Sequence, residues 1–228
     1  MFRRTRFPIE ATLVLATFAA VPLAAQASVY NNEAAFVAAA GPAKASLPSS
    51  LGGVPSFSAA PFAFQADPGQ SFNIDTTGYG QPIPGEDNLV LSGYESQTLT
   101  SAMPLYAFGF RIFQPSNAAP LPGSTGGYCN FTCDTGPFTV TLSAGVTQVA
   151  QFSVTPAFDT VEFHGWAGTV AFDTIRIDDT LRTIDNEYFS TYRYSTAPVP
   201  EPGAWALMAL GLAGVGLARR ARLAAGAR

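Results

Sequence analysis

The sequence predicts an all-β fold, an antiparallel two-sheet sandwich of jelly-roll-like type. Three observations predict it. Residues 105–113 alternate Tyr106, Phe108, Phe110 and Ile112 against Ala107, Gly109 and Arg111, the period of two that a strand imposes on its side chains. Further runs rich in Val, Ile, Phe, Thr and Tyr recur every ~10–15 residues with Gly, Pro and Asp between them, as short antiparallel strands do. No strand–helix–strand alternation is present, which argues against a doubly wound parallel sheet.

The 228-residue chain divides into three parts. Residues 1–27 read as a secretory signal. Arg3, Arg4 and Arg6 form a basic start, Ala11–Leu23 an apolar helix, and Ala25-Gln26-Ala27 a small-residue cleavage site, so that export machinery would leave a mature chain beginning at Ser28. The general secretory route fits this pattern better than a twin-arginine route built on Arg3-Arg4. Residues 28–198 form the second part, long enough for one domain with a core of its own. Residues 199–228 form a tail.

Within the middle part, Val29–Ala40 is the one stretch that reads as helix. Asn31 or Asn32 caps it, Glu33 sits in its first turn, and Gly41 ends it. Residues 41–85 are rich in Gly, Pro, Ser and Ala, a composition that disfavours long helices. The apolar points Phe57, Phe62, Phe64, Phe72 and Ile74 predict short extended segments that feed a core, because linkers rarely carry so many aromatics. From 88 to 194 the predicted strands are 105–113, 138–142, 148–154, 160–163, 171–177 and 187–194.

Charge narrows the partners. Residues 28–198 hold five basic residues (Lys44, Arg111, Arg176, Arg182, Arg193) against 14 acidic ones, a net charge of −9. Such a surface repels nucleic acid and anionic membrane. It suits a solvated surface protein or one that takes up divalent cations. Asp178, Asp179, Asp185 and Glu187 crowd the end of the middle part and are candidate oxygen ligands for calcium. The competing reading is a solvated acidic turn, partly paired with Arg176 and Arg182. No EF-hand spacing is present, and no other cofactor is implied.

The remaining chemistry is sparse. Cys129 and Cys133 are the only cysteines, and in an exported chain they predict a disulfide across a tight loop. Zinc would need further ligands, and His164 is the sole histidine. His164 with Asp173 and a serine could supply a nucleophilic triad, but no Gly-x-Ser-x-Gly elbow accompanies them. A carboxylate pair for glycoside hydrolysis is a second enzymatic alternative. Tyr94, Tyr106, Tyr128, Trp166, Tyr188, Tyr192 and Tyr194 are the aromatics that could stack on sugar rings; the alternative for most is the core.

The tail has the most specific pattern. Val199-Pro200-Glu201-Pro202 precedes an uncharged apolar run, Ala204–Ala218, and then Arg219, Arg220 and Arg222. As a helix this run of 15 residues spans ~22 Å, short of the ~30 Å hydrocarbon core. Trp205 at one interface and snorkelling arginines at the other make up the difference, and the arginines orient the C-terminus to the cytoplasm. The two prolines hold 199–201 extended, with a helix opening near Pro202. A motif, an apolar helix and a basic cluster, in that order at the C-terminus, resemble the PEP-CTERM sorting signal of Gram-negative bacteria. The resemblance implies recognition by an exosortase-type membrane transpeptidase, cleavage near Pro200–Pro202, and delivery to the cell surface or exopolysaccharide matrix. Phe163, Gly165 and Trp166, then Phe172–Ile177, then Ile184–Phe189, also resemble strand patterns common in proteins with this tail. No activity comes with that likeness. The expected protein is therefore an exported, non-enzymatic surface or matrix component, with a glycan-binding module and a secreted hydrolase as alternatives.

Overall fold

In the computed structural model, residues 27–74, 82–116, 136–182, 187–199, 210–216 and 219 are described. The chain runs β1 (Ser28–Tyr30), α1 (Glu33–Ala40), β2 (Ala43–Lys44), β3 (Leu51–Val54), β4 (Ser56–Ala59), β5 (Phe62–Ala66), β6 (Ser71–Ile74), β7 (Leu89–Ser92), β8 (Gln97–Phe113), β9 (Phe138–Ala144), β10 (Thr147–Val154), β11 (Val161–Asp179) and β12 (Tyr188–Ser195). Among the described residues every pairing between these strands is antiparallel.

Two long strands make the sandwich. β8 and β11 pair along both of their halves, Val161–Ala167 against Phe113–Ala107 and then Thr174–Ile177 against Thr100–Gln97, with the register broken between Ala167 and Thr174. At that break both strands pass from one layer to the other. One layer runs β10-β9-β11-β8-β5-β4 and the other β1-β11-β8-β12-β7-β6-β3. The alternation at 105–113 therefore lies within one half of β8, and the segments expected as separate strands at 160–163 and 171–177 are one bent strand, β11. The inner faces meet through aromatic contacts, among them Phe64 with Tyr192 at 5.1 Å and Phe138 with Phe189 at 5.9 Å between ring centroids. Phe108, Phe110, Ile112, Leu142, Ile175 and Ile177 are buried between them.

The start of the expected helix is corrected. Val29 and Tyr30 pair with Trp166 and Gly165, so residues 28–30 form a strand because β11 has an edge to fill. The helix begins at Glu33, capped by Asn32, whose side chain accepts the Ala35 N–H at 3.0 Å. Gly41, at φ 53°, closes it in the left-handed conformation and returns its N–H to Val37, a conformation glycine adopts without cost. Only Phe36 of the helix is buried. Residues 210–216 are helical. Among the described residues no helix is long and apolar enough to cross a membrane. The signal residue Ala25, both cysteines, Pro200–Pro202, Arg220 and Arg222 lie outside the described residues, as do Tyr128 and Asp185. Ala27 is exposed and Arg219 is helical.

Candidate functional site

Two places combine chemistry with position. The first is a groove of about 590 Å³ on the outer side of the β11-β8-β12 layer, between the start of α1 and the segment Ile83-Pro84. Arg111, Phe163 and His164 contribute to its walls. Arg111 is on this outer side because it lies one residue off the inward-facing Phe110 and Ile112. The first helical turn brings Glu33 over it. Glu33 accepts from Arg111 Nε at 2.7 Å and from Arg193 Nε at 2.5 Å. Glu86 takes Lys44 and lies 4.0 Å from Arg111. Burial acts to raise the Glu33 pKa, but hydrogen bonds from Arg193 and Arg111 outweigh it and hold the carboxyl below its ordinary value. Glu33 is thus a fixed carboxylate, unsuited to donate a proton.

His164 is buried, and its Nε2 lies 3.0 Å from Glu162 Oε2. Burial lowers its pKa more than Glu162 raises it. The other Glu162 oxygen accepts the Ala157 N–H at 3.0 Å. Asp173 is not its companion. That carboxylate sits at the other end of the sandwich and accepts from the Thr174 hydroxyl at 2.8 Å and the Gly145 N–H at 3.3 Å. The His164–Asp173 triad is therefore not assembled, and the sequence reading missed Glu162, two residues away on the same strand face.

These shifts set a pH dependence. A histidine whose folded pKa lies below 6.5 stabilises the fold above that pH, and the stabilisation is lost as pH falls through the folded value. Lowered carboxylates, Glu33 and Asp67, act in the same direction at more acidic pH. The melting temperature of a His164→Gln variant should therefore gain on the wild type as pH drops from 7.5 to 5. A difference that stays constant across that range would refute the assignment.

At the end of the sheets opposite Asp173 the acidic residues are used internally. Arg176 grips Asp67, with Nη2 to Oδ2 at 2.7 Å, and Asp178 at 2.6 Å. Hydrogen bonds to Asp67 are the main cause that raises the Arg176 pKa and lowers that of Asp67. Asp178 also accepts from Ser96. Asp179 is buried and accepts the Leu181 N–H. Glu187 is buried and gives its N–H to Glu95, a buried carboxylate that the sequence reading did not single out. Among the described residues no group of three or more His, Cys, Asp or Glu is placed to hold a metal ion. Of the aromatics considered for sugar stacking, Trp166, Tyr188 and Tyr192 are buried. Tyr106 and Tyr194 are half-buried and Tyr94 is exposed. The burial of Tyr192 pushes its phenol pKa up, and its hydroxyl donates to Gln97.

The second place is where the chain leaves the sandwich. β12 ends at Ser195 beside Ala107. Four residues on, Val199 gives its N–H to Gly168 O at 3.3 Å and packs on the cluster of Phe36, Ala107, Phe163 and Ala167. Ser28 pairs with Ala167 on the same strand. Both ends of the domain thus meet at residues 167–168 of β11.

Residues 198–222 match the family model described as the PEP-CTERM protein-sorting motif. No curated protein sequence matches the chain. Among solved structures, an arabinose-bound MgGH51 α-L-arabinofuranosidase aligns at 12% identity and a TM-score of 0.37, over 67% of this chain and 26% of that one. The chain therefore spans about a quarter of that protein's length. CBM29_1, a family 29 carbohydrate-binding module from Piromyces equi, aligns at 12% identity and a TM-score of 0.34, over 77% of this chain and 93% of that one. A further structure titled carbohydrate binding module family29 aligns at 12% identity and a TM-score of 0.32, over 78% and 92%.

Proposed function

We propose that this chain, an exported protein with a PEP-CTERM sorting signal at residues 198–222, is a non-enzymatic component of the cell surface or exopolysaccharide matrix. One observation carries the reading. The sorting motif begins where the sandwich ends, with Val199 still packed on the domain, so the folded sandwich is the cargo the signal delivers. The signal implies a membrane-associated intermediate before the surface is reached. In that intermediate Pro200–Pro202 is the recognition motif for an exosortase-type transpeptidase, 204–218 the membrane stop, and Arg219, Arg220 and Arg222 the orientation lock. Signal cleavage after Ala27 leaves Ser28, already the first residue of β1.

The non-enzymatic reading is supported by the groove, where the charged groups satisfy one another. Glu33 is committed to two arginines and His164 to Glu162. The test is replacement of Pro200-Glu201-Pro202 by alanines in the native host. Full-length protein should accumulate in the inner membrane, and the mature form should vanish from the surface and matrix. Normal processing of that variant would overturn the reading.

A second reading is that the groove binds a glycan. Its support is the polar lining, with Asn31, Glu33 and Arg111 beside Phe163, a mixture of fixed polar groups and an apolar wall suited to a small ligand. Retention on a polysaccharide panel that Arg111→Ala weakens would favour it.

A further inference from the structure

The sheet bends at one pole of the sandwich, and that pole differs in composition from the other. The bends 101–104 and 168–173, the turns 58–61 and 144–147, and the exit 195–199 meet there. Across these segments Asp173 is the one charged side chain, and it is engaged by Gly145 and Thr174. The other carboxylates of the sheets lie toward the opposite end, with Asp67, Glu95, Glu162, Asp178 and Glu187 near the far ends of β5, β8, β11 and β12. This pole, with Asp173 as its one charge, also presents large apolar side chains to solvent. Val146 is 104% exposed, Val170 53% and Met103 44%, with Val29 at 54% just behind them on β1.

We propose that this pole is a lipid-facing surface, which rests in the interface of the bilayer while the sorting tail is inserted. The inference depends on the tail reading above. The length of chain between the two selects the bilayer as occupant. Val199 is fixed to the domain, and the apolar run of the tail starts at Ala204. Those five steps span at most ~17 Å fully extended, and two prolines keep the segment near ~3.1 Å per residue. The polar headgroup layer itself takes ~5–8 Å on each side. The pole therefore cannot stand more than about 10 Å away from the headgroups. An acidic domain held this close would be repelled by anionic lipid if its charged end faced the membrane. With this end down, valine and methionine side chains enter the interface, Asp173 stays engaged by Gly145 and Thr174, and the other carboxylates point away. Apolar side chains in that position bind in proportion to the area they bury.

The experiment uses the full chain reconstituted in phosphatidylcholine vesicles with or without brominated acyl chains, which quench tryptophan on contact. In the wild type, quenching of Trp205 reports tail insertion, since Trp166 is buried. In a Trp205→Phe background, Val146→Trp reports the pole and Phe158→Trp, exposed at the opposite end, is the control. Brominated lipid should lower the added emission of Val146→Trp about twofold, as for a side chain buried ~5–10 Å into the interface, and leave that of Phe158→Trp unchanged. Quenched Trp205 with Val146→Trp no more quenched than Phe158→Trp would overturn the inference and leave the tail reading standing. A blue-shifted but unquenched Val146→Trp would mark contact with protein and overturn it too. Unquenched Trp205 would remove the tail reading and this inference with it.

Discussion

A Phe36→Ala variant should lose about 3–5 kcal/mol of stability and melt roughly 10 °C lower. Phe36 is the only buried residue of α1 and is fully inaccessible. Its ring lies 5.2 Å from Phe163 and 5.6 Å from Tyr30, and it shares a cluster with Ala107 and Ala167, against which Ala40 and Val199 pack. That one side chain therefore joins the helix, the first strand, β11 and the exit of the chain. An eight-residue helix is too short to persist without tertiary contacts, so removal of the ring should release α1 from the sheet. A second effect separates this from ordinary loss of core. With its packing partner gone, residues 196–199 should be cut by added protease well below the melting temperature. Differential scanning calorimetry and limited proteolysis check the two effects. A variant that melts within 2–3 °C of the wild type, about 1 kcal/mol in a domain of this size, would show that the helix is a passenger.

The strand alternation was legible because one face of 105–113 carries Phe and Ile at every second place. What alternation could not show is that the opposite face is buried as well. Ala107 is buried there, under Phe36 and Phe163, so the pattern alternates large with small rather than apolar with polar. The bend in β11 was hidden for a related reason. Gly165, Gly168 and Thr169 read locally as a gap between strands, whereas the backbone continues through them from one layer to the other. The strand at 28–30 is a tertiary override: nothing local tells Val29 and Tyr30 that β11 has an open edge. In the groove, Glu33 was visible as a first-turn acid, but its arginines are 78 and 160 residues away. The Arg176–Asp67 pair spans 109 residues and was equally out of reach. By contrast, the sorting tail was readable because its parts are contiguous and each acts through local composition.

The small face of β8 sets up the other large effect. Gly109→Val should destabilise the domain by about 3 kcal/mol, at the upper end of ordinary overpacking. A Cβ built at Gly109 would lie 2.5 Å from Phe163 Cζ and 3.2 Å from the carbonyl oxygen of His164. The first contact could be relieved only if Phe163 turned away, and Phe36 packs against that ring. The second involves backbone, because Gly109 is paired with Gly165 across the β8–β11 ladder, and that spacing is set by hydrogen bonds. Valine suits a strand on intrinsic preference, so a loss of stability here would isolate the steric demand of the β11 and α1 cover. The paired variant Gly109→Val/Phe163→Ala discriminates further. If the clash with the ring dominates, the double variant should recover part of the loss, giving a negative interaction energy in a double-mutant cycle. Simple additivity would instead assign the cost to the backbone contact, and a stable single variant would mean that the two layers of this face are less closely packed than the geometry requires.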